Sequence, residues 1–229
     1  MEKIELNGQI IEYILQKKKI KNSYITIKDS IVTVKVPMKT SDLQINDFLT
    51  KRADWIINTI EKQKKSAKLP KKYINDEVFR VLGKDTVLNI SYENTKKSKL
   101  KYWLNKFNLI IPISEKGNTT LIAKKLIDNF YSELAEKEVE RAMRKITMKV
   151  GLAPNKYTVK NLKSTWGNCS TTGNISISKN VVMYSRHAIE YVCLHEICHL
   201  QHMNHSKLFW NMVLEYMPDY KDAEIELRN

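Results

Sequence analysis

All five histidines of this 229-residue chain lie between His187 and His205, and at their centre stands His195-Glu196-Ile197-Cys198-His199. Few short patterns constrain a fold as tightly. The H-E-x-x-H spacing predicts a helix, because there residues four apart share one face about one turn along the axis, and two imidazoles can converge on one ion. Glu196, beside the first of them, reaches a water at the ion rather than the ion itself, which is where a general base for hydrolysis has to stand. The residues point to a zinc hydrolase, most directly a peptidase.

A tetrahedral catalytic zinc takes three protein ligands and keeps one position open, so a third ligand is required. His202 shares the helical face, but a straight helix carries it roughly 10 Å along the axis, too far to share the ion. It is expected to support the site from outside or to lie on the surface. His205 becomes available if the helix stops and the chain turns back. Asn204 suits a left-handed stop, and Ser206 suits the cap of a second helix starting near Lys207. Carboxylates further on, Glu215, Glu224 and Glu226, are the alternatives, with His205 ahead of them.

The stretch from His195 to Trp210 resembles the metal-site signature of the YgjP-like metallopeptidases. Upstream, Lys163-Ser164-Thr165-Trp166-Gly167-Asn168-Cys169-Ser170, followed by Gly173-Asn174-Ile175, is similar to that family's second signature. The resemblance is strong over residues 161–220 and looser before them. It extends more weakly to SprT-like and WLM-type proteases, which share the H-E-x-x-H-x5-H spacing. Residue by residue it implies His195, His199 and His205 as ligands of one Zn2+ per chain and Glu196 as the catalytic base. The family commonly carries Arg where this chain has Thr165.

Tyr157 to Lys160 and Asn174 to Ser178 carry β-branched and aromatic residues on either side of a Gly- and Ser-bearing turn, which predicts a hairpin ahead of the metal helix. Zincins hold extended substrates against such a sheet edge, where main-chain bonds supply affinity. Trp166, Gly167 and Asn168 are therefore the candidate substrate edge, with Gly167 permitting close backbone approach. The equal alternative makes Trp166 core and Gly167 a bulge. For the oxyanion of the tetrahedral intermediate, Tyr184, Tyr191, Tyr216 and His202 are the available donors.

Three cysteines argue against a disulfide framework and for a reducing cytoplasm. Cys198 points about 100° away from the neighbouring His199, Cys193 is expected on the buried side of the helix, and Cys169 is a small buried residue or a thiol near the metal. The charged start Met1-Glu2-Lys3 has no apolar run of signal-peptide length, and no segment approaches the ~18 apolar residues of a membrane span.

The architecture expected is α+β. A strand-rich N-terminal part, 1–115, carries one helix near 42–65, opened by a Ser41/Gln44 capping box. A zincin-like catalytic domain, 116–229, follows. Strands are expected within 9–36, 78–90 and 101–111, with a turn at Gly83-Lys84-Asp85 and a linker at 68–72. Ala123, Leu126, Ile127, Phe130, Leu134, Val139, Ala142 and Ile146 recur at helical spacing up to Gly151 and predict a long helix behind the metal helix. No internal repeat is visible.

The net charge is +14. Lysines cluster at 17–21, 62–72 and 96–101, the last beside Tyr102 and Trp103. Such a surface can bind nucleic acid by neutralising phosphates and stacking bases. SprT-like and WLM-type relatives act on proteins attached to DNA. The excess is nonetheless scattered lysine without a recognised binding motif, so protein or peptide substrates are the expected partners. The reading of a different class is a DNA-associated or nucleic-acid-binding module with a structural zinc.

Overall fold

The computed structural model describes residues 1–28, 30–66, 71–162 and 164–228, the side chains of 62–66 excepted. The chain is α+β and forms two compact units, Met1–Pro70 and Lys71–Asn229.

In the first unit β1 (Glu2–Leu6), β2 (Gln9–Lys18), β3 (Tyr24–Lys28) and β4 (Ile31–Pro37) make one sheet in the order β1-β2-β4-β3. Alternation decides which face is covered: Val32, Val34 and Val36 are buried while Ile31, Thr33 and Lys35 point outward. The buried face meets α1 (Asp42–Thr50) and α2 (Ala53–Ser66), whose Ile45, Leu49, Ala53, Ile56 and Ile60 complete the core. The capping box forms, with the Gln44 amide donating to Ser41 Oγ at 3.3 Å and the Ser41 amide to Gln44 Oε1 at 3.0 Å. The one helix expected over 42–65 is two. A tight turn at Lys51 and Arg52, whose amide donates to the Leu49 carbonyl, interrupts it.

The second unit opens with β5 (Val78–Val81), β6 (Lys84–Glu93), β7 (Lys99–Trp103) and β8 (Lys106–Pro112), in the order β5-β6-β8-β7. This sheet repeats the first. Tyr13 pairs with Val32 as Leu88 pairs with Phe107, and Tyr24 with Lys35 as Lys99 with Ile110, at one constant offset along the chain. The tight turns match as well: Asn7 and Gly8 have φ of 48° and 78°, Leu82 and Gly83 of 49° and 78°. Both residues of such a hairpin turn need positive φ, so the turn lies at Leu82-Gly83, with Lys84 already in β6. Between 3–37 and 78–112 only Gly8/Gly83, Lys21/Lys96, Ser23/Ser98 and Pro37/Pro112 coincide in type. The duplication is invisible as sequence because burial and turn conformation keep it, and many apolar residues satisfy burial.

A 3-10 turn, Ile113–Asn118, leads into α3 (Thr119–Val150), which ends at Gly151 in the left-handed conformation, φ 77°. Phe79, Val81, Leu88, Phe107, Leu109 and Ile111 of the second sheet share one core with Ile127 and Tyr131 of α3 and with the helix that carries the motif. The compact units therefore divide after Pro70, not at the 115/116 boundary expected from sequence. The buried face of β5–β8 has α3 as its cover. The expected linker falls at this division, and its residues 68–70 lie outside the described ones.

Three short strands follow: β9 (Lys156–Lys160), β10 (Gly167–Cys169) and β11 (Asn174–Ser178), in the order β10-β11-β9. The hairpin expected between 157–160 and 174–178 is not one, since β9 and β11 run parallel. The segment read as its turn is itself the edge strand β10, antiparallel to β11. A 3-10 turn, Lys179–Met183, then leads to α4 (Arg186–Cys198), α5 (Lys207–Tyr216) and α6 (Tyr220–Arg228). α3 packs behind α4 as expected. Glu138 of α3 binds Arg186 at 2.7 Å, and Glu190 of α4 receives Arg141 at 2.9 Å and Lys145 at 2.7 Å.

Candidate metal centre

α4 starts where Ser185 Oγ accepts the Ala188 amide at 3.2 Å. From Ala188 to Leu194 it is buried all round, so it is held by packing on every side rather than by one apolar stripe. His195 and Glu196 lie in its last turn, and His199 is its C-cap. The reversal begins there, as a ligand role for His205 requires, but not through Asn204, which is absent from the residues with positive φ. Leu200, Gln201 and His202 instead donate their amides to Ile197 and Cys198 carbonyls, winding the chain off the helix. α5 begins at Lys207 after Ser206, whose side chain makes no capping bond.

The reversal brings His205 back to the motif. Ligand atoms of His195, His199 and His205 all lie within 4.8 Å of one another, and Nε2 of His205 stands 2.9 Å from Nε2 of His195. Ligands about 2.0–2.1 Å from a tetrahedral ion are roughly 3.3 Å apart, inside the range these rings span. Burial, with His199 and His205 adding to it, pushes the His195 imidazole down to about 3. It is neutral at physiological pH, the form that can coordinate. His199 Nδ1 donates to the His202 carbonyl at 2.9 Å, which leaves Nε2 as the free lone pair. His202 thus contributes its backbone oxygen.

A second layer, to which sequence reasoning assigned no role, surrounds the rings. Phe209, fully buried, stacks on His199 at 4.6 Å and meets His195 and His205 at 4.9 and 4.8 Å. Trp210 stacks on His205 at 5.7 Å, and Tyr191 packs edge-on to His195 at 5.8 Å. The signal was available: Phe209 and Trp210 sit in the first turn of α5, directly after the chain has returned with His205.

Glu196 is 5% exposed, and burial pushes its carboxyl up to about 7. Its Oε2 is buried with no hydrogen-bond partner among the described residues. Gly167 explains how it fits. A Cβ on Gly167 would stand 2.5 Å from Glu196 Oε1 and 2.7 Å from its Cγ, so β10 passes over the carboxylate only because this residue is glycine. Trp166 packs edge-on to Tyr184 at 5.0 Å, and Trp166, Gly167, Asn168 and Cys169 line the same cleft, of about 500 Å³, as the three histidines and Glu196. Lys163, earlier in the same signature, lies outside the described residues.

Among the described residues the three histidines are the group of His, Cys, Asp and Glu side chains close enough to share an ion. The alternative carboxylates are occupied or apart: Glu226 accepts from the Ser185 amide at 2.8 Å, Glu224 pairs with Arg228 at 2.8 Å, and Glu215 is exposed on α5. The cysteines are all free, with Cys193 and Cys198 buried and Cys169 partly so. Of the four candidate oxyanion donors only Tyr191 lines the cleft, its phenol raised by burial. Three imidazoles with converging nitrogens, beside a buried carboxylate oxygen without a partner among the described residues, fit a bound metal ion and its water.

An ion-binding cleft of this kind, set between a helix and the edge of a small sheet, belongs to a class of enzyme, the metallopeptidases. The family model described as YgjP-like, metallopeptidase domain, matches residues 21–229, and the chain belongs to that family. Among solved structures it is similar to the metallopeptidase zymogens Pyrococcus abyssi abylysin and Methanocaldococcus jannaschii jannalysin. Each is 23% identical, the match covering 39% of this chain and 90% and 91% of theirs, with TM-scores of 0.36 and 0.34. No curated protein matches the chain. No described helix is long and apolar enough to cross a membrane.

Proposed function

We propose that this metallopeptidase is zinc-dependent, with His195, His199 and His205 holding one zinc per chain and Glu196 acting as general base on protein or peptide substrates. The observation that carries the reading is the convergence of three histidines, one held in its coordinating tautomer, next to a buried carboxylate with an orphan oxygen. When bound, zinc supplies Lewis acidity, which acidifies a water toward neutrality and polarises the scissile carbonyl. Glu196 takes the proton from the attacking water and returns it to the leaving amine. A carboxyl raised to about 7 is suited to both transfers. Trp166, with Gly167 and Asn168 of the edge strand β10 that follows it, holds the substrate backbone in extended form. Tyr191 donates to the developing oxyanion. Three free thiols suit a reducing cytoplasm.

Elemental analysis with turnover assays tests the proposal. Wild type and Glu196→Gln are expected to hold about one zinc per chain, as three protein ligands imply. Glu196→Gln is expected to lose about 10²-fold or more in turnover, the range of a general base. His205→Ala is expected to lose the zinc. Zinc retained in His205→Ala would move the third ligand to a carboxylate, and turnover retained in Glu196→Gln would remove the base. The alternative, a nucleic-acid-binding module with a structural zinc, suits the geometry less well, because structural sites are closed whereas these histidines line an open cleft.

A further inference from the structure

The duplicated sheet allows one copy to be read against the other. In the second copy the inward side of edge strand β7 is covered: Tyr102 packs on Phe107 at 5.5 Å and on Phe130 of α3 at 5.3 Å. In the first copy the edge strand is β3, whose Ile25 and Ile27 likewise pack on the core, but the cover beside them is two helices interrupted at Lys51 and Arg52. A groove of about 380 Å³ opens there, lined by Ser23, Tyr24, Ile25, Phe48, Arg52 and Trp55. It shares Ser23, Phe48 and Arg52 with a second hollow of about 440 Å³ that reaches Thr40 and Gln44. Tyr24 and Trp55 are 53% and 49% exposed, more than a side chain belonging to the unit's own core would be.

The charge in the groove is specific. The Arg52 guanidinium lies 4.2 Å over the Phe48 ring and donates to the Phe48 carbonyl at 3.3 Å, which holds it in place. The nearby Asp47 is taken by Lys51 at 2.7 Å, and among the described residues no carboxylate pairs with Arg52. We propose that this groove docks an extended polypeptide carrying a carboxylate next to an apolar or aromatic side chain. The guanidinium fork matches a carboxylate in two parallel bonds. The edge strand offers main-chain donors and acceptors, and Trp55 and Tyr24 offer rigid apolar faces to the neighbouring side chain. A nucleic-acid strand fits less well. Its affinity comes from several phosphate contacts, and among the described residues this groove presents one uncommitted cation.

The test uses the full chain with Glu196→Gln, so that the probe is not consumed, and a fluorescent peptide of alternating glutamate and leucine followed by anisotropy. Saturable binding is expected. Arg52→Gln should weaken it about tenfold or more, as loss of a charge-assisted hydrogen bond does. Trp55→Ala should weaken it as well, and Lys101→Gln, on β7 of the other copy, should leave it unchanged. Circular dichroism confirms that each variant is folded. Absence of saturable binding, equal affinity in Arg52→Gln, or an equal loss in Lys101→Gln would overturn the proposal. Displacement of the peptide by oligothymidine at lower concentration than by unlabelled peptide would do so too, assigning the groove to nucleic acid.

Discussion

Gly167 and Glu196 illustrate how far single residues could be read. The role proposed for Glu196 follows from its neighbours in the chain, since the residue beside the first histidine of the motif points where a base is needed. The role of Gly167 did not. Sequence offered a close substrate approach or a bulge, and the close contact turned out to be with the Glu196 side chain, 29 positions away along the chain. Gly167→Ala is accordingly expected to leave the zinc in place and displace the carboxylate. A shift of about 1 Å in a catalytic group costs on the order of 10²-fold. Steady-state turnover beside metal content measures this, and an Ala variant as active as wild type would mean that Glu196 has room to move.

At the scale of elements, the metal helix is positioned from its N-terminus. Ser185 caps α4, Glu226 of α6 accepts from the Ser185 amide and hydroxyl, and Gly83 of the β5–β6 turn lies against the same backbone, its Cβ position 3.2 Å from the Ser185 nitrogen. One point therefore ties a sheet, the metal helix and a helix that lines the cleft with Glu224, Leu227 and Arg228. Glu226→Ala strands the Ser185 amide and is expected to cost about 1–3 kcal/mol in urea unfolding, with zinc content unchanged. Unaltered stability would show that the tie is replaced by water. Glu226 was one of the carboxylates considered for the metal. Sequence could not separate that use from a helix cap, because both need only an acid within reach.

For the molecule as a whole, two features lead to measurements. The ion network between α3 and α4 ties stability to pH. Arg186, then Arg141, hold Glu138 below the ordinary carboxylate range, against the opposing effect of burial. For Glu190 burial opposes ionisation, but Lys145 and Arg141 outweigh it and the net shift is also downward. Groups lowered in the folded state contribute stability above their unfolded values and lose it as pH falls through the folded ones. The melting temperature is expected to fall below about pH 4, the unfolded carboxylate range. Glu190→Gln should flatten that slope relative to wild type, and an unchanged slope would remove the pair from the account. Secondly, the core of Lys71–Asn229 is continuous from the second sheet to α6. A chain starting at Lys71 is expected to melt cooperatively and to bind zinc as the full chain does, whereas a chain starting at residue 116 should not fold, having lost the sheet β5–β8 on which α3 packs.

The sequence by itself determined the local and periodic features: the helix of the H-E-x-x-H motif, the Ser41 capping box, α3 with its glycine stop, the α+β class, and the pairing of His195 with His199 on one helical face. Each depends on spacing along a few turns, which side-chain chemistry encodes directly. Tertiary structure decided what involves distant partners. It made β9 and β11 parallel, built β10 over Glu196, drew β5–β8 into the unit of the metal site, and repeated a sheet with almost no shared residues. Burial accepts many apolar side chains at one position, so pairing and cover are set by which surfaces meet.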